Sequence, residues 1–344
     1  MRIVHIVWGL GTGGVETMLV DLVNVQVETE DVSIAIVNEI EEPALLQKTD
    51  RRCEVYRAHR KTGSRSLLPW IRLNGFSAKE EPRHHPFPFR WDEKDGAAPK
   101  VFTIHNIHTS GKEYPHYARL FAISDGVRNY TRQQGYDAVT VWNGLTTAAI
   151  NQKTQGWYQP GDIYRMVCVG RLYAPHKGQD ILLEALGRIK QQGITAFHVD
   201  LIGDGESRAS LEQQAKAAGI EEQVTFCGQQ NRDYIYQHLC DYDLFVLPSR
   251  SEGFGLSVAE AMSAKVPVIV CDLEGVKDVV GGGQYGCLFR AGNSESLAKQ
   301  ICTFLQKQTS LQKVEEAYGF ATVHFDIRNT AKRYLEEYRK VIKS

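Results

Sequence analysis

The chain reads as an α/β protein made of two doubly wound parallel units. Short β-rich runs alternate with helical patterns, the signature of parallel strands joined by crossover helices. The alternation pauses at a polar stretch and then restarts, and glycine ends the first strand of each half. At roughly 150 residues per domain, 344 residues leave room for two such units.

In chain order, RIVHIVW (2–8) is the first strand. A glycine-rich turn and the helical pattern GVETMLVDLVNVQ follow it. VSIAIV (32–37), CEVYRA (53–58), VFTIH (101–105), RLFAIS (119–124) and AVTVW (138–142) are further strands, with the helix DGVRNYTRQQGY between the last two. TTAAINQKTQGWYQPGD (146–162) reads as a linker. The second half then runs YRMVCVG, a helix GQDILLEALGRIKQQ, AFHVDLIG, a helix SRASLEQQAKAAG, QVTFCG, a helix RDYIYQHLCDY, DLFVLPS, a helix from Gly255, and VPVIVCD. The expected divisions are 1–155 for the first domain and 161–327 for the second. Residues 328–344 form an amphipathic helix expected to pack back towards the first.

Composition narrows the class. Forty basic and 41 acidic side chains leave a net charge of −1, which fits neither a dominant nucleic-acid binder nor an acidic tail. No apolar run approaches the ~20 residues that span a bilayer. The N-terminus lacks a signal-peptide pattern, so a cytoplasmic protein is expected. Seven widely spaced cysteines without C-x-x-C argue against a disulfide framework or a zinc site. Asp241-Tyr242-Asp243 imitates a D-x-D metal motif but precedes an apolar strand, where a helix-to-strand turn is expected.

Two constellations carry chemistry. Gly9-Leu10-Gly11-Thr12-Gly13-Gly14 matches G-x-G-x-x-G ahead of a helix, and Glu39 lies where a ribose-binding acid would sit. That pattern fits a phosphate site or a tight strand-to-helix turn equally well. The second constellation is richer. Gly170-Arg171-Leu172 ends a strand and Lys177-Gly178 opens the next helix. SRSEGFGLSVAEAMSAKVPVI (249–269) places Glu252 and Glu260 with seven residues between them, and Gly253 and Gly255 free the backbone around Phe254–Ser257 to face an anion. Two cations, a backbone cradle and two carboxylates suit a phosphate group with hydroxyls on either side.

Here the sequence resembles the retaining GT-B glycosyltransferases called group 1 or family 4. The resemblance lies in GGVE (13–16), GRL (170–172), PHKG (175–178), IGDGE (202–206) and LPSRSEGFGLSVAEAMS (247–263), with the E-x7-E signature at Glu252 and Glu260. It implies a GT-B fold of two facing Rossmann-like domains around a cleft, the first acceptor-side and the second binding a nucleotide sugar. By position, Arg171 and Lys177 would pair with the diphosphate, Glu260 with the ribose, and Glu252 with the donor sugar beside the amides of Gly255 and Leu256. Gly13 and Gly14 would close on the diphosphate. His105 would face the anomeric carbon and Phe226 would lie near the base. Gly170, Gly203, Gly253, Phe254 and Ser257 would complete the donor site. The resemblance implies no metal and no cofactor, only a co-substrate of UDP or GDP type.

The implied reaction is sugar transfer to a glycan or lipid-linked acceptor, in cell-envelope polysaccharide or lipopolysaccharide synthesis. Residues 51–72 carry Arg51, Arg52, Arg57, Arg60, Lys61, Arg65 and Arg72 beside Leu67, Leu68, Trp70 and Ile71. Such a segment suits peripheral contact with an anionic membrane, or a solvated surface. Two other readings compete. One is an NAD-dependent oxidoreductase using Gly9, Gly11, Gly14 and Glu39. The other is an inactive relative that binds nucleotide or a partner. The second is prompted by 77–96, where the expected strand is missing and four prolines fall between 82 and 99. With codons chosen to encode Pro82–Asp95, loss of one base yields a proline turn, a β-branched strand and a polar loop. The segment therefore reads as out of frame with its relatives, or as a divergent or disordered loop.

Overall fold

A computed structural model describes residues 1–61, 64, 98–107, 111–159, 161–306 and 310–343. The atypical 77–96 segment, His108 and most of 62–72 lie outside the described residues. The chain divides into two compact units, Met1–Lys100 with Ile327–Ser344, and Val101–Asp326. Compactness thus puts 101–155 with the second unit, where the sequence reading ended its first domain at 155.

In the first unit, β1 (Arg2–Val7), β2 (Asp31–Asn38) and β3 (Glu54–Arg60) pair in parallel in that order. The middle strand is buried at every position but its first, which is why its sequence is mostly apolar, broken only by Ser33 before Asn38, rather than an alternation. The helix Gly14–Gln26 buries Met18, Leu19, Leu22, Val23 and Gln26, one face at helical spacing. The helix Ile327–Lys343 packs against it and adds Leu335 to a core with Ile3, Leu19, Val23, Ile34 and Ile36. Arg328 pairs with Glu28 at 3.0 Å and Arg339 with Glu30 at 2.6 Å. His5 bonds Gln26 at 2.7 Å, and burial lowers its pKa.

The second unit holds two parallel sheets. A small one joins β4 (Val101–Ile104), β5 (Arg119–Ala122) and β6 (Val139–Thr140). The larger comprises β7 (Tyr164–Val169), β8 (Phe197–Ile202), β9 (Val224–Gly228), β10 (Leu244–Leu247), β11 (Val268–Cys271) and β12 (Cys287–Phe289). Its order is β12-β11-β10-β7-β8-β9, so the chain winds outward one way from β7 and then the other way from β10. In sheets of this kind a ligand binds beyond the carboxyl ends of the two strands where the winding reverses. That places the expected site at the loops after β7 and β10.

One continuous core runs through the second unit, from Ile104 to Phe325. The linker residues belong to it. Lys153 is buried and bonds Asp243 Oδ1 and the Tyr242 carbonyl, each at 2.9 Å. Asp243, the last residue of the D-x-D look-alike, is therefore a structural counter-ion, and its other oxygen accepts from the Arg165 amide at 3.0 Å. Strand β12 and the helices Ser294–Gln306 and Leu311–His324 complete the unit.

Candidate functional site

The loop after β7 carries Gly170 to Gly178. Arg171 is 64% exposed and its guanidinium meets Glu206 at 2.6 Å. The short helix Ala174–Lys177 ends at Gly178, whose φ of 67° is left-handed. A Cβ there would lie 2.0 Å from the Pro248 carbonyl oxygen, so glycine lets this turn press against the end of β10. Because of that approach, Lys177 Nζ reaches Glu252 Oε2 at 2.7 Å, with both side chains half-buried.

The loop after β10 carries Ser249 to Gly255. A Cβ on Gly253 would sit 2.5 Å from the His105 carbonyl oxygen, so the end of β4 and the Glu252 loop touch backbone to backbone. Ser124 is fully buried, donates to the Gly253 carbonyl at 2.7 Å and caps its own helix, Asp125–Gln133, by accepting from Val127 N at 3.1 Å. Asp278 accepts from the Gly126 amide at 2.7 Å, a second tie between these segments. The Nδ1 of His105 is enclosed and has no hydrogen-bond partner, and desolvation lowers its pKa to about 4. It is a neutral imidazole.

Gly255 precedes the helix Leu256–Ser263 and adopts φ 90°. Leu256 and Ser257 supply that helix's first amides, and Glu260 lies one turn in, half-buried. Gly170 and Gly203 lie against one another at the ends of β7 and β8, with Gly170 N on the Ile202 carbonyl. Phe226 is on β9, and Arg208 stacks 6.0 Å from its ring. The Phe254 side chain is 1% exposed, edge-on to Phe325 at 5.2 Å and beside Trp142 at 6.0 Å, which leaves the expected donor contact there to its main chain. The ring anchors the loop. Gly13 and Gly14 belong to the first unit, at the start of the helix Gly14–Gln26.

The second unit therefore brings His105, Lys177, Glu252 and Gly253 into one neighbourhood, with Arg171 and Glu260 on flanking elements. Sequence reasoning gave no role to Ser124, Asp278, Glu206, Arg250 or Asp180. Arg250 was visible inside SRSEG, but its partners come from other segments. Among the described residues, no group of three or more histidine, cysteine, aspartate or glutamate side chains could hold a metal.

The family described as "Glycosyl transferases group 1" matches residues 152–318. The phosphatidyl-myo-inositol mannosyltransferase of Mycobacterium leprae is 26% identical over 74% of this chain and 70% of that protein. The putative teichuronic acid biosynthesis glycosyltransferase TuaC of Bacillus subtilis is 27% identical over 72% of this chain, which covers 65% of TuaC. The crystal structure of Anabaena HepE in complex with UDP and glucose superposes with a TM-score of 0.74 at 21% identity, covering 98% of this chain and 99% of that one. That likeness shows the GT-B fold. Residues 152–318, just under half of the chain, thus match the group 1 glycosyltransferase family, and the loops after β7 and β10 lie within that match.

Proposed function

We propose that the chain transfers a sugar, with retention, from a nucleoside diphosphate sugar to a hydroxyl of a glycan or lipid-linked acceptor in cell-envelope polysaccharide synthesis. The observation that carries this is Lys177 held on Glu252 at 2.7 Å, beside the glycine loop and helix start at the switch point. A diphosphate arriving there would exchange with the Glu252 carboxylate on Lys177 and accept hydrogen bonds from the amides of Leu256 and Ser257. Arg171 would add a second cation. As the glycosidic bond breaks, negative charge builds on the departing diphosphate, and these fixed donors stabilise it there more than in the ground state. Glu252, released from Lys177, would accept from the sugar hydroxyls, and Glu260 from the ribose. His105, neutral over the physiological range, would donate or accept a hydrogen bond near the anomeric carbon without adding charge.

The M. leprae and B. subtilis relatives supply the cell-envelope setting, and HepE the UDP precedent. Contact of 51–72 with an anionic membrane belongs to the same proposal, although Arg57 is already held by Glu41 at 2.8 Å and Arg52 by Asp50 at 2.8 Å. The nicotinamide alternative leaves Arg171, Lys177, Glu252 and Glu260 without work to do.

Calorimetric titration of the purified chain with UDP, GDP and ADP, without added metal, tests the reading. One nucleotide should bind, and Lys177→Ala or Glu260→Ala should weaken it about 10- to 100-fold, the weight of a charge-assisted hydrogen bond. A folded chain that binds none of the three would overturn it.

A further inference from the structure

We propose that Arg250 and Asp180 form a positioning pair that sets the spacing between Lys177 and Glu252. This rests on the reading of those two residues as donor-binding groups. Neither Arg250 nor Asp180 belongs to the E-x7-E or PHKG motifs.

Lys177 and Glu252 come from loops far apart in sequence, after β7 and after β10, and something must hold the two loops in register. Asp180 sits in the first turn of the helix Gln179–Gln191, just beyond Lys177. Arg250 lies two residues before Glu252. Its guanidinium spans the gap: Nη1 donates to Asp180 Oδ1 at 2.6 Å and Nη2 to Asp180 Oδ2 at 2.7 Å, a bidentate fork. Nη1 also donates to the Ala174 carbonyl at 2.8 Å, at the start of the short helix that ends in Lys177. The main chain follows the same path, with Arg250 N on the His176 carbonyl at 2.7 Å. One side chain therefore grips both ends of the Lys177 turn.

The fork fixes direction as well as distance, because planar guanidinium and planar carboxylate align along two parallel bonds. Asp180 also gains from the positive helix start. Lysine at 250 would keep the charge but could not reproduce the planar two-nitrogen fork together with the bond to Ala174. The loop would then pivot, and a displacement of the order of an ångström at a reacting centre is worth about 100-fold in rate.

The test uses the full chain and three variants: Arg250→Lys, Asp180→Asn and the double variant. UDP and GDP binding is read by calorimetry, and nucleotide release from UDP-glucose and GDP-mannose gives kcat and KM. Melting temperature and acetylation of Lys177 by acetic anhydride, followed by mass spectrometry, report on the free protein. Each single variant should melt close to the wild type, yet acetylate several-fold faster at Lys177 and lose about tenfold or more in kcat. The double variant should be no worse than the poorer single one, because the two side chains act through one another. Unchanged acetylation and kcat in Arg250→Lys, or losses that simply multiply in the double variant, would overturn the pair. If the wild type binds neither nucleotide while acetylation still responds to the variants, the donor-site reading fails and the clasp between the loops stands.

Discussion

Two partly buried histidines give the protein an acid-sensitive stability. His105 has its pKa lowered to about 4 by desolvation, and desolvation also lowers that of His5 beside Gln26. An unfolded histidine takes up its proton near pH 6.5, so between there and about 4 the unfolded chain binds protons that folded His105 does not. Stability is full above pH 6.5 and falls as pH drops through that window, by at most about 3 kcal/mol for His105. Urea midpoints at pH 7 and pH 5 check this. The drop should shrink in His105→Asn and in His5→Asn, and an identical drop in both variants and the wild type would refute it. His105 was legible from its place at the end of VFTIH. Its charge state was not, because that depends on the enclosure of Nδ1 by other segments. The same holds for the Phe254 side chain, whose packing on Phe325 and Trp142 depends on segments far along the chain.

Among the elements, the turn Ala174–Lys177 shows how a backbone position can govern a side chain elsewhere. Gly178 combines a left-handed φ with a carbonyl oxygen where a Cβ would lie, whereas Gly193 has φ 84° and nothing within 4 Å. Gly193→Ala should cost only about 1 kcal/mol of conformational strain. Gly178→Ala must in addition push β10's end away from the turn, costing more than about 2 kcal/mol and moving Lys177 off Glu252. Melting curves and nucleotide affinity of the two variants make the comparison, and equal effects would refute the argument. Most strands and helices were legible because a parallel sheet buried on both faces forces apolar runs, as in β2 and β11. Strand β12 escaped notice: at three residues, half-buried at Cys287 and Leu288, it is too short to carry a period. The polar stretch at 146–162 read as a linker, and partners far along the chain, such as Asp243 for Lys153 and Tyr318 for Gln152, show that it is anchored.

For the molecule as a whole, the two units have separate cores, and the first is assembled from both ends of the given chain. Leu335 is 8% exposed within the core of Ile3, Leu19 and Ile34. Leu335→Ala should therefore cost about 2–3 kcal/mol in the first unit. Hydrogen exchange should quicken at the amides of β2 and stay unchanged at those of β10, and equal quickening at both would refute the separation. The division at Lys100 was not legible, unlike the return of the last helix to the first unit, because strand and helix patterns reveal where elements lie and not how densely they contact one another. That the second half is a doubly wound parallel unit was legible, since alternation of strand and helix restricts the connections; its strand order was not. The same division has a consequence during synthesis. A ribosome adding 5–20 residues per second needs at least about ten seconds to pass from Lys100 to Ile327. Through that interval Leu19, Val23 and Ile34 have emerged without the helix that covers them, leaving nascent apolar surface for a chaperone to hold.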